Sequence, residues 1–301
     1  MSIKKLLPRV KTNTSLKNYT TFKIGGRAKY FYVAKTKENL VKAVRVVKKM
    51  KLPFFVLGGG SNLLISDKGF KGLVIKFGQP LSLYVSKGLE WAVGIPGTIQ
   101  GAVWSNAGAF KKSMKDVVKE VEVFDTKTGK VKIFKNKDCR FSYRNSIFRK
   151  EKNLIILSVK IKSKKSNTKK IKQYSDYRKK TQPLEFPSAG SIFKNPKNLV
   201  AGELLGEEDK PSSSAFAAAR LIGEEDKPSS SAFAAARLIE ECGLKGKKIG
   251  EVQVSKKHAN FIINLGDGKA RDVKKLINLI KRKVKSKFGA NLEEEIQYLG
   301  F

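Results

Sequence analysis

Residues 54–65 read Phe-Phe-Val-Leu-Gly-Gly-Gly-Ser-Asn-Leu-Leu-Ile, so an apolar run breaks at three glycines and then resumes. Few local sequences constrain a fold as tightly. The flanking runs ask to be buried strands, and glycine, lacking a Cβ, allows turns and close approaches denied to other residues. Inward-facing backbone N–H groups at Gly58, Gly59, Gly60, Ser61 and Asn62 would form a concavity suited to an anion such as pyrophosphate. A tight hairpin turn is the alternative. Neither G-x-x-x-x-G-K-[ST] nor G-x-G-x-x-G occurs here, which sets aside the two commonest phosphate loops.

Charge poses the next question. Lys plus Arg number 63 against 26 acids, a formal charge of +37 in 301 residues. A nucleic-acid protein tends to gather such charge in one stripe or tail. Here lysines are spread through nearly every segment between regularly spaced apolar residues, so a solvated surface is expected and no specific nucleic-acid partner. Hydrophobic residues make up 41%, enough for a core. No apolar run approaches 18 residues, and the first residues lack a signal-peptide hydrophobic region, so no membrane insertion is expected. Two distant cysteines, Cys139 and Cys242, suggest a reducing cytoplasm. The single histidine, His258, speaks against a histidine metal site, and no metal is expected.

Along the chain, residues 17–33 read as a strand broken by Gly25-Gly26, and residues 37–50 as a helix ended by Lys51-Leu52-Pro53. The glycine stretch then completes a strand–helix–strand unit. Residues 72–77 and 154–161 read as buried strands, and 121–134 as a hairpin. A second small-residue stretch holds Gly94, Ile95, Pro96, Gly97 and Thr98, followed by Ser105-Asn-Ala-Gly-Ala. It would let a loop or helix start lie flat on a ring system or diphosphate, or simply crowd a helix onto a sheet. Arg144, between Tyr143 and Phe148, suits a carboxylate or phosphate because its fork binds both oxygens; a solvated surface arginine is the alternative. Residues 163–182 suggest a charged helix leading to a second unit. That unit opens with Ser188-Ala-Gly-Ser191, a turn that aims a hydroxyl towards whatever Lys194 and Asn195 hold. Near the end, Val273, Leu276, Ile277, Ile280, Val284 and Phe288 form one apolar helix face.

Taken together, the chain resembles the UDP-N-acetylenolpyruvoylglucosamine reductase family. The pieces are Thr21-Phe-Lys-Ile-Gly-Gly, Gly58-Gly-Gly-Ser-Asn-Leu-Leu, Gly94-Ile-Pro-Gly-Thr, Asn106-Ala-Gly-Ala, Tyr143-Arg-Asn-Ser-Ile-Phe, Ser188-Ala-Gly-Ser-Ile-Phe-Lys-Asn-Pro, Val254-Ser-Lys-Lys-His-Ala-Asn-Phe-Ile and Leu292-Glu-Glu-Glu-Ile. All eight stand in the family's order across nearly the whole chain. Gln182-Pro-Leu-Glu resembles the shorter subtype, without an extra tyrosine-bearing loop. The resemblance implies an α+β flavoprotein: a mixed-sheet FAD-binding domain over 1–162, a charged helical connector over 163–184, and a smaller α/β substrate domain over 185–301. It implies FAD against Gly58, Gly59, Gly60, Ser61 and Asn62, with further contacts from Gly94 to Thr98. NADPH would reduce the flavin and leave, and flavin N5 would pass hydride to the enolpyruvyl ether of a UDP-sugar. Ser191 would protonate the adjacent carbon, while Arg144 and Glu295 hold and polarise the substrate carboxylate. Glu295 would serve best as a buried, protonated donor. Tyr143, Asn195 and Lys194 would bind the sugar nucleotide, with His258 a further candidate. A cytoplasmic monomer acting in peptidoglycan synthesis is the expectation. An impaired homologue, a polyanion binder, or another flavin oxidoreductase on this fold are the alternatives.

Three features depart from the family pattern. Residues 78–91 are abrupt where the family usually places a strand pair and a longer helix, which predicts an open flank and an exposed sheet edge. Gln100 stands where a small residue is common, so its side chain is expected to obstruct a flavin. Finally, the seventeen residues 206–222 recur unchanged as 223–239. The second copy runs into the family's continuation and should supply the docked helix, capped by Ser231 and ended by Gly243, with the first copy extruded.

Overall fold

A computed structural model describes residues 2–196 and 234–301. The expected helix over 37–50 spans Lys37–Lys49, its Thr36 hydroxyl accepting from the Asn39 N–H. Its Leu40, Ala43, Val44 and Val47 are buried, the spacing of one helix face. That face packs with Tyr32, Leu73 and Ile75 of a four-stranded sheet of order β1-β2-β5-β3, built from Lys11–Ser15, Arg27–Val33, Phe70–Lys76 and Phe54–Leu57. Strands β2, β5 and β3 are parallel, and β1 pairs antiparallel to β2. The β1 strand had no clear sequence signature: Lys-Thr-Asn-Thr-Ser is mostly polar and exposed.

After the glycines, β4 (Leu63–Ile65) leaves this sheet and pairs in parallel with β15 (Gln297–Leu299) from the far end of the chain. A short hairpin joins β6 (Gly108–Ala109) to β7 (Lys112–Ser113). The expected 121–134 hairpin is β8 (Val118–Asp125) and β9 (Lys130–Lys135), with β10 (Leu154–Ile161) on the other side of β8. The last sheet has order β11-β14-β13-β12, from Ser188–Ser191, Phe261–Asn264, Val252–Val254 and Lys248–Ile249.

Apolar packing ties the parts together. The C-terminal core includes Phe22, Ile24 and Leu64 from the first half beside Ile192, Phe193 and the face Val273, Leu276, Ile277, Ile280 and Val284. That face lies on the helix Ala270–Phe288, whose first turn is capped from a distance. The N–H groups of Ala270 and Arg271 donate to the Asp67 carboxylate at 2.8 and 3.1 Å. The basic segment expected as a connector contains the helix Thr168–Thr181. It buries Tyr174, Tyr177 and Arg178, with Tyr174 stacked on Phe110 and Arg178 against Trp91, while most of its lysines stay exposed.

Residues 234–239 of the second repeat copy begin the helix Ala234–Glu241, whose Ala235, Leu238 and Ile239 enter the C-terminal core. Gly243 follows at φ +66°, the left-handed conformation that ends helices. Ser231 and the first copy lie outside the described residues.

Candidate active site

The two glycine-bearing loops meet face to face. A Cβ on Gly59 would lie 2.3 Å from Gly97 Cα, and one on Gly58 would lie 2.7 Å from Thr98 Oγ1. Gly60 has φ +65°, and a Cβ there would strike the Tyr19 carbonyl. Gly58 and Gly59 are therefore constrained by the second loop and Gly60 by Tyr19, packing demands that no local sequence pattern displays. The anion-cradle reading survives on another observation. Among the described residues, no acceptor is found for the backbone N–H groups of Gly58, Gly59, Gly60, Ser61 or Asn62. Five successive free donors beside backbone that admits no Cβ fit the diphosphate of a dinucleotide.

The loop is also wired to the rest of the site. Gly60 accepts from the Thr21 N–H at 3.1 Å, and the Thr21 hydroxyl donates to the Ser188 carbonyl at 2.7 Å. Asn62 donates from its side chain to the Glu295 carbonyl at 3.2 Å and accepts from the Gln297 N–H at 3.1 Å. The glycine loop, the strand bearing Ser191 and the segment bearing Glu295 are thereby one hydrogen-bonded assembly.

Ser191 ends β11 opposite Phe261, just after Gly190 at φ +75°. The next residues form a ladder with residues 293–295. Glu295 N–H donates to Ile192 O and Lys194 N–H to Glu293 O, both at 2.8 Å. Asn260, buried, clamps the same segment: its amide accepts from Phe193 N–H and donates to Phe193 O, each at 2.9 Å. Asn260 went unnoticed in the sequence because an asparagine among apolar residues has no signature until its partner is known.

Arg144 reaches this ladder from the first half. It sits in a tight turn closed by Ser142 and Asn145, at φ +52°. Its Nη1 donates to the Gly108 carbonyl at 3.0 Å, and Nε lies 2.9 Å from Glu295 Oε1. The Nε–H is not aimed at that oxygen, so the pair is an ion contact with a buried donor still unspent. Glu295 therefore sits against the guanidinium of Arg144, the residue with which it was expected to share the site. Tyr143 is half exposed, and its hydroxyl accepts from Asn195 N–H at 3.3 Å. Arg144, Glu295, Ser191, Tyr143 and Asn195 thus line one seam.

Two expected contributors are otherwise engaged. Lys194 is ion-paired with the exposed Glu293. His258 serves the 255–261 turn: its Nδ1 accepts from Asn260 N–H at 3.3 Å and its ring meets Phe261 edge-on. Burial pushes its pKa down to about 4, so the ring is neutral near pH 7. Among the described residues no hydrogen bond or ring contact joins it to Tyr143, Arg144 or Ser191.

A cation hidden in the charged connector was missed. Arg178 is buried; its Nη2 donates to Trp91 O at 3.1 Å, its guanidinium lies over the Phe110 ring, and Nε has no partner. A Cβ on Gly94 would meet its Cδ at 3.2 Å, which places it against the second glycine loop. Burial, with a further contribution from the nearby charge of Arg144, lowers its pKa to about 10. Lys and Arg at 63 positions gave no means of telling this one from its solvated neighbours.

The shortened flank differs from expectation. Residues 78–91 form 3-10 turns over Leu81–Lys87 and Glu90–Ala92, burying Leu81, Leu89 and Trp91. Gln100 does not project into the space between the glycine loops. Its buried side chain accepts from Gln79 N–H at 3.0 Å and donates to Leu157 O at 3.3 Å, on the edge strand β10. That edge is covered there by the helix Ile99–Ser105.

Comparison with known proteins decides the family. Residues 182–299 match the family model described as UDP-N-acetylenolpyruvoylglucosamine reductase, C-terminal domain. A UDP-N-acetylenolpyruvoylglucosamine reductase of Caldicellulosiruptor bescii is 38% identical over 314 residues, covering 95% of this chain and 89% of its own. The chain belongs to the UDP-N-acetylenolpyruvoylglucosamine reductase family. The reductase of Caldanaerobacter subterraneus is 37% identical, with 96% and 93% of the two chains covered. A crystal structure of the Thermus caldophilus reductase superposes with TM-score 0.72 at 30% identity, covering 97% of this chain and 99% of that one. In this reductase family member, the eight motifs therefore belong to one inherited fold. Among the described residues no cluster of His, Cys, Asp or Glu could hold a metal, and no helix is long and apolar enough to cross a membrane.

Proposed function

We propose that this protein reduces the enolpyruvyl ether of UDP-N-acetylglucosamine enolpyruvate to UDP-N-acetylmuramate, using FAD and NADPH. The observation that carries the reading is the seam in which Arg144 meets Glu295 beside the strand bearing Ser191. Flavin, when bound, supplies the hydride obtained from NADPH. Gly58, Gly59, Gly60, Ser61 and Asn62 would hold its diphosphate through their free N–H groups, and residues 94–98 would flank it.

The remaining chemistry belongs to side chains. Hydride addition next to a carboxylate increases charge on that carboxylate, so a fixed guanidinium favours the transition state over the ground state. Arg144 is the group for this task, its unspent Nε–H available once substrate displaces Glu295 from its contact. Ser191 gives a proton to the carbon beside the carboxylate; a hydroxyl can do so only towards a strongly basic, enolate-like centre. Glu295, tied by its N–H to Ile192 and set against Arg144, would hold and polarise the same substrate carboxylate. Tyr143 and Asn195 would bind the sugar nucleotide. Lys194 would join them by exchanging its exposed partner Glu293 for phosphate. His258, neutral and held in its turn, is a positioning group for Asn260 in this scheme. The protein would work as a cytoplasmic monomer.

The test is the visible spectrum of protein incubated with FAD and desalted. A retained flavin band that NADPH bleaches and the enolpyruvyl nucleotide restores is the expected result. In Ser191→Ala the bleaching should persist and the restoration fail. A colourless desalted protein would overturn the reading.

A further inference from the structure

Lys76 is a basic residue that neither the motifs nor the catalytic seam accounts for. It is the last residue of β5, paired with Val33 on β2 and Leu57 on β3. It stands where the three parallel strands end, which is where open parallel sheets receive ligands. Alternation along the strand puts its side chain on the face of Val74, which packs with Leu57, Leu63 and Ile65 around the glycine loop. The ammonium is half-buried and donates to the Gly58 carbonyl. Among the described residues no carboxylate pairs with it. Burial lowers its pKa, so the charge is held at a cost.

An ammonium has three N–H donors, and Gly58 takes one. A charge withdrawn from water beside five free backbone N–H groups, with no acid to balance it, is arranged for an anion. We infer that Lys76 is a cofactor-binding residue whose ammonium, anchored on the Gly58 carbonyl, balances the diphosphate of the dinucleotide. This rests on the FAD reading above.

The experiment measures FAD affinity by flavin fluorescence for apo wild type, Lys76→Met and Lys76→Arg, at low and high ionic strength, with apo melting temperatures recorded. Lys76→Met should weaken FAD binding about ten- to a hundredfold, as loss of a charge-assisted hydrogen bond implies. Its affinity should also respond less to salt. Lys76→Arg should recover most of the affinity. If Lys76→Met lowers the apo melting temperature, Lys76→Gln replaces it. Unchanged affinity in the neutral variant, or an arginine variant as weak as it, would overturn the inference while leaving the FAD reading intact. Wild type that binds no FAD would overturn both.

Discussion

The seam around Ser191 and the shortened flank differ in how far they depend on single side chains. The seam joins residues 192–194 to 293–295 by two backbone hydrogen bonds about the Phe193–Glu294 bridge, with Asn62 and Asn260 adding side-chain clamps. The flank, residues 78–100, has one short backbone bridge, Leu81 N–H to Gly97 O at 3.0 Å and Ile99 N–H to Gln79 O at 2.9 Å, and otherwise leans on single side chains. Gln100 spans Gln79 and Leu157, Ser166 Oγ accepts from Gly88 N–H at 2.8 Å, and Glu90 accepts from Asn167 N–H at 3.0 Å. Backbone ladders tolerate most side-chain changes, whereas a side-chain stitch fails with one substitution. The seam should therefore yield chemical phenotypes, and the flank stability phenotypes.

The largest expected effect is chemical. Ser191→Ala should lower the rate of flavin reoxidation by substrate about 10²–10⁴-fold, with reduction by NADPH and melting temperature nearly unchanged. Stopped-flow traces of the two half-reactions would separate them; equal loss in both would mean that the seam depends on Ser191 for its structure. Arg144→Met comes next. Loss of about 10²–10³ in kcat is expected, of the order seen on removing a donor from a developing charge. An effect confined to KM would show that the guanidinium only binds.

Smaller changes probe the flank. Gln100→Gly restores a residue common in the family but strands the Gln79 N–H and the Leu157 carbonyl. It should destabilise by about 1–3 kcal/mol, read in a urea melt. A neutral result would mean that water replaces the amide. Acid sensitivity has one histidine to consider. The folded pKa of His258 lies below its unfolded value, near 6.5, so folding is favoured by the neutral ring above that value. This contribution is lost as pH falls from about 6.5 towards about 4. His258→Gln should flatten the melting-temperature profile across that window, and an unaltered slope would point to carboxylates instead. The smallest effect is expected for removal of residues 206–222, which leaves one repeat copy joined to the same helix. A clear fall in melting temperature would show that both copies contribute to the fold.

Much of this was legible in one dimension. The helix face of 270–288, the 121–134 hairpin, the 37–49 helix and the parallel strands around residues 54–76 follow from apolar spacing and turn residues, because periodicity is a local property of the chain. Family motifs likewise singled out Arg144 and Glu295, which the fold brings into contact, and Ser191, on the strand that leads into the Glu295 ladder. Position along the chain, however, does not reveal what a polar group will touch. Asp67 caps a helix 203 residues away, and Asn62 joins the glycine loop to Glu295 across 233. Arg178 and Lys76 look like any other basic residues until the packing removes them from water. Gln100 looks like an obstruction until the edge of β10 is seen beside it. Burial and long-range pairing depend on three-dimensional proximity, so the sequence determined the elements and the chemistry available, while tertiary structure decided which charges became isolated and which polar groups became indispensable.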